Sequence, residues 1–143
     1  MVLALIGTML FSFAALKTDI NNYPDNCVTV YVDYNGLNTE VPAYSCISIS
    51  ETIKAKEVVF QAGYDILGTQ KYPDLIVCRV NNLPAPDKEK CFDMPPADAY
   101  WAILIEKNGK WKMAQVGIAD IELKAGEGIG LVYVNQGKIK YPN

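Results

Sequence analysis

Of the residue types that most often carry enzymatic chemistry, this chain of 143 residues contains cysteines, carboxylates and lysines but no histidine. Histidine is absent, which excludes a Ser-His or Cys-His dyad, an imidazole base near neutral pH and a histidine metal ligand. Carboxylates and lysines remain as candidates. The sequence indicates no catalytic pair among the acidic residues Asp87, Asp93, Asp98, Glu122 and Glu127. We therefore expect no catalytic residues, no metal site and no cofactor, and we predict that the protein is not an enzyme.

Four cysteines are the second feature with chemical potential, at positions Cys27, Cys46, Cys78 and Cys91. No C-x-x-C pair exists, which argues against a structural zinc site and a thioredoxin-like motif. Cysteines behind an export signal are typical of disulfides, and three pairings are available in principle. We predict the sequential pairing, Cys27–Cys46 and Cys78–Cys91. The alternative is four buried thiols in a cytosolic protein.

Three aromatic residues are candidate ligand-binding residues: Tyr100, Trp101 and Trp111 lie across or beside an Asn108-Gly109 turn signal. They could form a surface for a ring-shaped ligand, or a cross-strand cluster that fills the core. Alternation along a strand places Tyr100 and Trp101 on opposite faces, so at most one lines a site on a given face. We expect Trp101 to be the exposed tryptophan, because two prolines fix the preceding loop.

Arg79 is the only arginine in the chain and directly follows Cys78. It is the fourth candidate ligand-binding residue, since its guanidinium could hold a carboxylate or phosphate through two hydrogen bonds. The structural alternative is a fork onto loop carbonyls or onto Asp93 or Asp98.

The first 16 residues are almost entirely apolar, a length that suits a signal peptide better than a membrane span. Ser12-Phe13-Ala14 has the small-x-small pattern of a cleavage site, so we expect a mature chain that begins near Ala15. Since no Lys or Arg precedes the apolar run, an uncleaved anchor is the alternative. Residues 17–26 are polar and predict a linker. The expected location is outside the cell or on the outer face of its membrane.

Two strands are predicted at the start of the folded domain. Val28, Val30 and Val32 alternate with polar residues over 27–34, which indicates a half-buried strand. The pair Asn35-Gly36 predicts a turn, and a second strand follows at about 41–47.

A helix of about four turns is predicted next. Ser48 and Glu51 have the spacing of a capping box at a helix start. Ala55, Val58, Val59 and Ala62 then share one apolar face, and Gly63 supplies the C-terminal stop.

The remaining residues predict mainly strands and complete one domain over 27–135, with a tail at 136–143. The expected segments are 72–80, 100–105, 111–116, 118–123 and 129–134, and Asn81-Asn82 can take positive φ in a turn. A hairpin, one main helix packed on one face and a mixed sheet is an α+β, β-grasp-like fold with two disulfides. A small β-barrel with a helical plug is the competing layout.

One family resemblance covers about residues 27–134. The string Cys78-Arg79-Val80-Asn81, then Cys91, then Pro95-Pro96-Ala97-Asp98-Ala99-Tyr100-Trp101 is similar to small secreted bacterial domains related to the C-terminal β-grasp domain of transcobalamin and intrinsic factor. The resemblance implies a β-grasp domain that binds a ligand, with a corrinoid-like molecule as one expectation. Two tryptophans usual in that family correspond here to aliphatic residues, at Leu104 or Ile105 and near Leu131.

The expected function is therefore that of a secreted binding module without catalysis. Its ligand is an unknown small molecule; the alternative is a cell-surface protein–protein interaction or structural domain. A formal net charge of −3 favours neither nucleic acid nor an acidic membrane surface as a partner. Contact with the membrane is expected only through an uncleaved N-terminal segment.

Overall fold

The computed structural model describes residues 24–143, so the predicted export segment 1–16 and most of the linker 17–26 lie outside the described part. No helix in residues 24–143 is long and apolar enough to cross a membrane. The strands are β1 Cys27–Asp33, β2 Ala43–Ser48, β3 Ile53–Lys54, β4 Ile66–Gly68, β5 Val77–Val80, β6 Ala99–Lys107, β7 Lys110–Met113, β8 Glu122–Leu123 and β9 Gly128–Asn135; the helix α1 is Ala55–Gln61, and Ile118–Asp120 is a 3-10 turn.

Five strands form the main sheet, in the order β2-β1-β9-β6-β7. The central pair β1 and β9 is parallel, and the other neighbours are antiparallel. Helix α1 packs on one face of this sheet, which is the arrangement of a β-grasp domain. The fold is therefore α+β, as predicted. The sheet is open, with β2 and β7 at its edges, so the alternative of a closed barrel with a helical plug is wrong.

The main core lies between the sheet and the helix. Alternation in β1 directs Val28, Val30 and Val32 to this face, where they join Val58 and Val59 of α1. All five are essentially inaccessible to solvent, and each buried valine contributes about 1.5–3 kcal/mol relative to an exposed one.

The opposite, outer face of the sheet is also partly covered, so β1 is not the half-buried strand that its alternation predicted. Tyr31 and Asp33 are buried on this face. A second small cluster forms there from Tyr31, Leu104 and Val132, and Ile139 of the C-terminal segment packs against it. The predicted tail, residues 136–143, therefore packs against the outer face of the sheet, where Ile139 covers part of this cluster.

The helix is shorter than predicted and begins later. It spans seven residues, and no side chain caps its start at Lys54. The prediction that Ser48 and Glu51 form a capping box at the start of the helix is therefore wrong. Ile53 and Lys54, which the prediction placed inside the helix, instead pair with Leu123 and Glu122 as β3 and β8. The C-terminal stop is confirmed, since Gly63 has a φ of 90° directly after the C-cap.

Both predicted disulfides are present, Cys27–Cys46 and Cys78–Cys91, and the alternative of four thiols is wrong. The Asn108-Gly109 hairpin is also confirmed, with φ angles of 52° and 72°. Asn81 and Asn82 take positive φ as expected. Two strands next to these turns are shorter than predicted: β5 begins at Val77 rather than at residue 72, and β7 ends at Met113 rather than at residue 116.

Candidate functional site

Arg79 has a structural role in this fold. Its side chain is buried, at 8% exposure, and points from β5 toward the loop that leads to Cys91. One terminal nitrogen donates to the carbonyl of Pro84, and the other donates to the carbonyl of Glu89 at 2.6 Å. The guanidinium therefore holds the two ends of one loop, which is the structural alternative considered for it. Asp93 is not its partner, because that carboxylate pairs with Lys71 at 2.8 Å.

Trp101 belongs to the main core, with only 4% of its surface exposed. Its ring packs edge-on against Tyr34 and Tyr133, with centroid distances of 5.4 and 5.5 Å. The indole nitrogen donates to the carbonyl of Leu83 at 3.0 Å. Burial raises the pKa of both tyrosines, which therefore stay neutral here. The expectation that Trp101 is the exposed tryptophan is wrong, because the segment around Leu83 covers its face of the sheet.

Trp111 lies on the outer face and does not meet helix α1. It is directly opposite Glu106 on β6, and its ring centroid is 6.1 Å from that of Tyr31. The indole rests on Gly128 and Gly130 of β9, where a Cβ would come within 3.0 and 3.1 Å of the ring. These glycines leave the space that the half-buried ring occupies. Trp101 and Trp111 therefore belong to different clusters and cannot form one aromatic surface.

An apolar groove of about 660 Å³ runs along the edge of β6 beside its first half. We define it by residues 75–77, 94–97, 100–103, 113–117 and 120. Four large apolar side chains that line it are exposed to solvent: Leu75, Met94, Met113 and Val116. The half-buried Tyr100 lines it too, and it is the one predicted aromatic that remains accessible there. A concentration of exposed apolar side chains in one concave surface is typical of a binding site.

The groove also exposes main-chain hydrogen-bonding groups. Strand β7 pairs with β6 only from Leu104 onward, and Ala114 then donates to the carbonyl of Ile103 at 2.9 Å. Ala99 donates on the same side to Pro96 at 3.2 Å. Since alternate residues direct their main-chain groups to the same edge, the N–H and C=O of Trp101 also point there. No hydrogen bond from residues 24–143 joins them on that side.

Sequence reasoning missed the exposed apolar residues of this groove. The detectable signal was apolar side chains in segments without a strand or helix pattern, such as Met94 before the two prolines and Val116 before Gly117. The sequence could not predict that these segments and Leu75 converge on one edge of the sheet, because they are distant from one another along the chain.

The four cysteines of the described residues all lie in disulfides. Both cysteine pairs are oxidised, which leaves no thiol among them to act as a nucleophile. Within residues 24–143, no group of three or more acidic or cysteine side chains is placed to hold a metal ion. The exposed apolar side chains of the groove and the main-chain groups of Trp101 can hold a ligand by apolar contact and hydrogen bonds.

Comparison with known proteins adds no relative: neither a family model nor a curated protein matches this chain.

Proposed function

We propose that this protein is an exported, non-catalytic binding module that holds a small, largely apolar molecule in the apolar groove. The observation that supports this most is the convergence of Leu75, Met94, Met113 and Val116, all exposed, on one concave surface. Burying such side chains under a ligand contributes roughly 25 cal/mol for each Å² removed from water. The open N–H and C=O of Trp101 supply a fixed polar contact that would orient the ligand.

The resemblance to transcobalamin-like β-grasp domains supports the same reading and makes a corrinoid one ligand to test. The described fold is α+β with a five-stranded mixed sheet and one helix on one face, which is the fold class that the resemblance implies. Trp101 and Arg79, which the resemblance singled out with its motif, are buried in the framework of the domain. Ligand contact is therefore assigned to Tyr100 and the exposed apolar side chains, with Trp101 contributing its main chain.

The binding proposal is tested with a fluorescent apolar probe, anilinonaphthalene sulfonate, and with cobalamin as the corrinoid. We expect the probe to bind the wild type and to be lost in Val116→Asp, which places a charge on the groove wall. Phe60→Asp is the matched control, because Phe60 is 68% exposed on α1 and does not line the groove. Equal loss in both variants, or no binding to the wild type, would contradict the proposal.

Natively purified protein provides a direct search for the natural ligand. Mass spectrometry without heating or denaturant should show the protein mass plus a small molecule, and Val116→Asp should release it. If the wild type is always recovered without a bound molecule and also binds no apolar probe, the proposal that the apolar groove binds a small molecule is contradicted.

Export is the second half of the proposal. Two disulfides are consistent with folding in an oxidising compartment, and the apolar residues 1–16 have the composition of a signal peptide. Intact-mass measurement of exported protein should give a chain that begins near Ala15. A membrane-bound product that begins at Met1 would identify an anchor instead.

A cell-surface protein–protein interaction is the second candidate, and the edge strand β2 favours it. Neither a charge nor a proline interrupts β2, whereas β7 at the other edge carries Lys110 and Lys112. Natural sheets use charged residues to prevent pairing at an edge, so β2 is the edge that remains open to another strand.

Strand addition at β2 can be blocked without disturbing the sheet. Because Ile49 donates its N–H to Asn26 at 2.9 Å on the β1 side, alternation directs the N–H of Ser48 to the open side. Ser48→Pro removes that donor. If an exported partner binds by strand addition, immobilised wild type and Ser48→Ala should retain it and Ser48→Pro should not. Retention by all three would exclude β2 as the contact.

A further inference from the structure

A pocket of about 740 Å³ lies on the outer face of the sheet, away from the apolar groove. Three tyrosines line it, namely Tyr31 from β1, Tyr44 from β2 and Tyr141 from the C-terminal segment. Tyr31 and Tyr44 form a tilted pair with their ring centroids 4.6 Å apart. We name this surface the tyrosine pocket.

The tyrosine pocket contains a buried carboxylate that has no cationic partner among residues 24–143. Asp33 is only 4% exposed. One carboxylate oxygen accepts from the N–H of Asn35 at 2.7 Å, and the other accepts from the hydroxyl of Tyr31 at 3.4 Å. None of the ion pairs within residues 24–143 includes Asp33. A carboxylate removed from water with two neutral donors is a charge that a bound cation would compensate.

The other charged groups of the pocket leave it negative. Glu40 adds a second carboxylate and Lys140 adds one ammonium, and both side chains are exposed. Burial, and then the Asp33 carboxylate, raise the pKa of Tyr31, so this phenol remains a neutral donor. The ring faces of tyrosines attract cations through their quadrupole, most effectively where water is excluded.

We propose that the tyrosine pocket binds a small quaternary or alkyl ammonium ion, with Asp33 as counter-charge and the rings of Tyr31, Tyr44 and Tyr141 as its walls. A methylated ammonium matches this surface better than a metal ion does, because it presents apolar methyl groups to the rings while its charge stays near the carboxylate. The site is independent of the apolar groove and of what that groove binds.

Choline is the probe, and its uncharged carbon isostere is the matched ligand control. Titration followed by NMR should show choline shifting the amide signals around Asp33 and Tyr44, whereas the isostere should bind at least about tenfold more weakly, the factor expected for losing roughly 1.4 kcal/mol of charge-dependent attraction. Equal binding of the two ligands would overturn the proposal, since the charge would then play no part.

Two substitutions should change the affinity in opposite directions. Asp33→Asn keeps an acceptor for the N–H of Asn35 but removes the charge, and we expect choline affinity to fall about tenfold. Lys140→Gln removes the competing cation at an exposed position, and we expect the affinity to rise about two- to threefold, as for a screened surface charge. Loss of fold cannot produce an increase, so a Lys140→Gln variant that binds no better, or an Asp33→Asn variant that binds as well, overturns the assignment.

The aromatic contribution is tested at the exposed wall. Tyr141→Leu keeps an apolar side chain but removes the ring, and we expect choline affinity to fall about two- to fivefold, as for an exposed cation–π contact. Met94→Ala in the apolar groove is the matched control and should leave choline binding unchanged. If Met94→Ala weakens choline binding as much as Tyr141→Leu does, the probe does not bind in the tyrosine pocket.

The same ammonium chemistry occurs in dissolved amines and in lipid headgroups. Sedimentation with phosphatidylcholine vesicles, lost in Asp33→Asn, would identify a headgroup; binding of free choline without vesicle binding would identify a dissolved amine. Either result supports the site. Failure to bind both free choline and phosphatidylcholine vesicles would overturn it, whatever the apolar groove proves to bind.

Discussion

Trp101 has its ring on the inner face of the sheet, enclosed by Tyr34 and Tyr133. Trp111 has its ring on the outer face, with one side open to solvent. We expect Trp101→Ala to lower the free energy of unfolding by about 3–5 kcal/mol, as for an aromatic side chain truncated in a packed core. Trp111→Ala should cost clearly less. Denaturant melts of the two variants measure both values, and equal losses would contradict the packing described for Trp111.

Trp101→Phe separates the packing of the indole from its hydrogen bond. The smaller ring stays apolar, and the carbonyl of Leu83 loses the indole donor that lies 3.0 Å away but still accepts from the N–H of Val80 at 2.9 Å. Losing one hydrogen bond to an acceptor that keeps a second donor costs about 0.5–1.5 kcal/mol, so this variant should lie between wild type and Trp101→Ala.

Glu106 on the outer face makes stability depend on pH. Burial raises the pKa of its carboxyl, so the folded protein releases this proton at higher pH than the unfolded chain does. The folded state is therefore penalised as pH rises through the ordinary glutamate range and the raised value, and the penalty is absent in acid. Glu106→Gln should be more stable than wild type at neutral pH, and this difference should vanish at acidic pH in thermal melts.

Glu51→Gln is the matched control for this pH dependence, because Glu51 is exposed in the segment before β3. Its stability should follow that of the wild type at both pH values. A Glu106→Gln variant that is no more stable than Glu51→Gln at neutral pH would show that burial of Glu106 carries no electrostatic cost.

Which face a residue occupies could be derived from the sequence, but which face is covered could not. Alternation correctly separates Tyr100 from Trp101. The cover over Trp101 comes from the segment around Leu83, and the partial cover over Trp111 includes Tyr31 from β1. Both contacts join distant parts of the chain, about which a local pattern carries no information.

Among the elements, the start of the helix shows how tertiary pairing overrides a local signal. Ser48 and Glu51 have capping-box spacing, but Ile53 and Lys54 gain main-chain partners in β8. Ala55 then donates its N–H to the carbonyl of Ile121 at 3.0 Å. A capping box stabilises a helix by about 1 kcal/mol, which is too little to compete with a strand pair that also buries Leu123.

The disulfide Cys78–Cys91 closes the loop that Arg79 also holds. Replacing both cysteines by serine should lower the free energy of unfolding by roughly 3 kcal/mol, because the unfolded chain regains the freedom of that loop. In the same variant, hydrogen exchange in residues 84–90 should increase less than in a variant that also carries Arg79→Met, since the guanidinium still holds the carbonyls of Pro84 and Glu89.

Non-reducing peptide mapping must first confirm the two pairings in the purified protein. The equivalent double serine variant at Cys27 and Cys46 is the control, because that disulfide joins β1 to β2 and lies far in sequence from the loop 84–90. Equal exchange in that loop for both double variants would show that Cys78–Cys91 does not restrain it.

For the whole molecule, the class of fold was predictable and the position of the groove was not. A valine-rich hairpin, one amphipathic helix and later strands leave few arrangements, and the mixed sheet is one of them. The groove depends on where β7 stops: because pairing ends at Leu104 and Met113, the first half of β6 is left open. The sequence predicted a strand over 111–116, but β7 ends at Met113, because strand length depends on contacts with distant residues that a local pattern does not contain.

The parallel pairing of β1 and β9 gives the domain a direction of mechanical strength. Five residue pairs join the two strands, from Thr29–Gly128 to Asp33–Val132. Tension applied through Asn26 and Gln136 would draw parallel strands from opposite ends, so all the bonds between them carry the load together and must break at once. Tension applied across Leu104 and Met113 would open the β6–β7 hairpin one bond at a time. Single-molecule pulling should therefore require a higher force in the first geometry, and equal forces would contradict this.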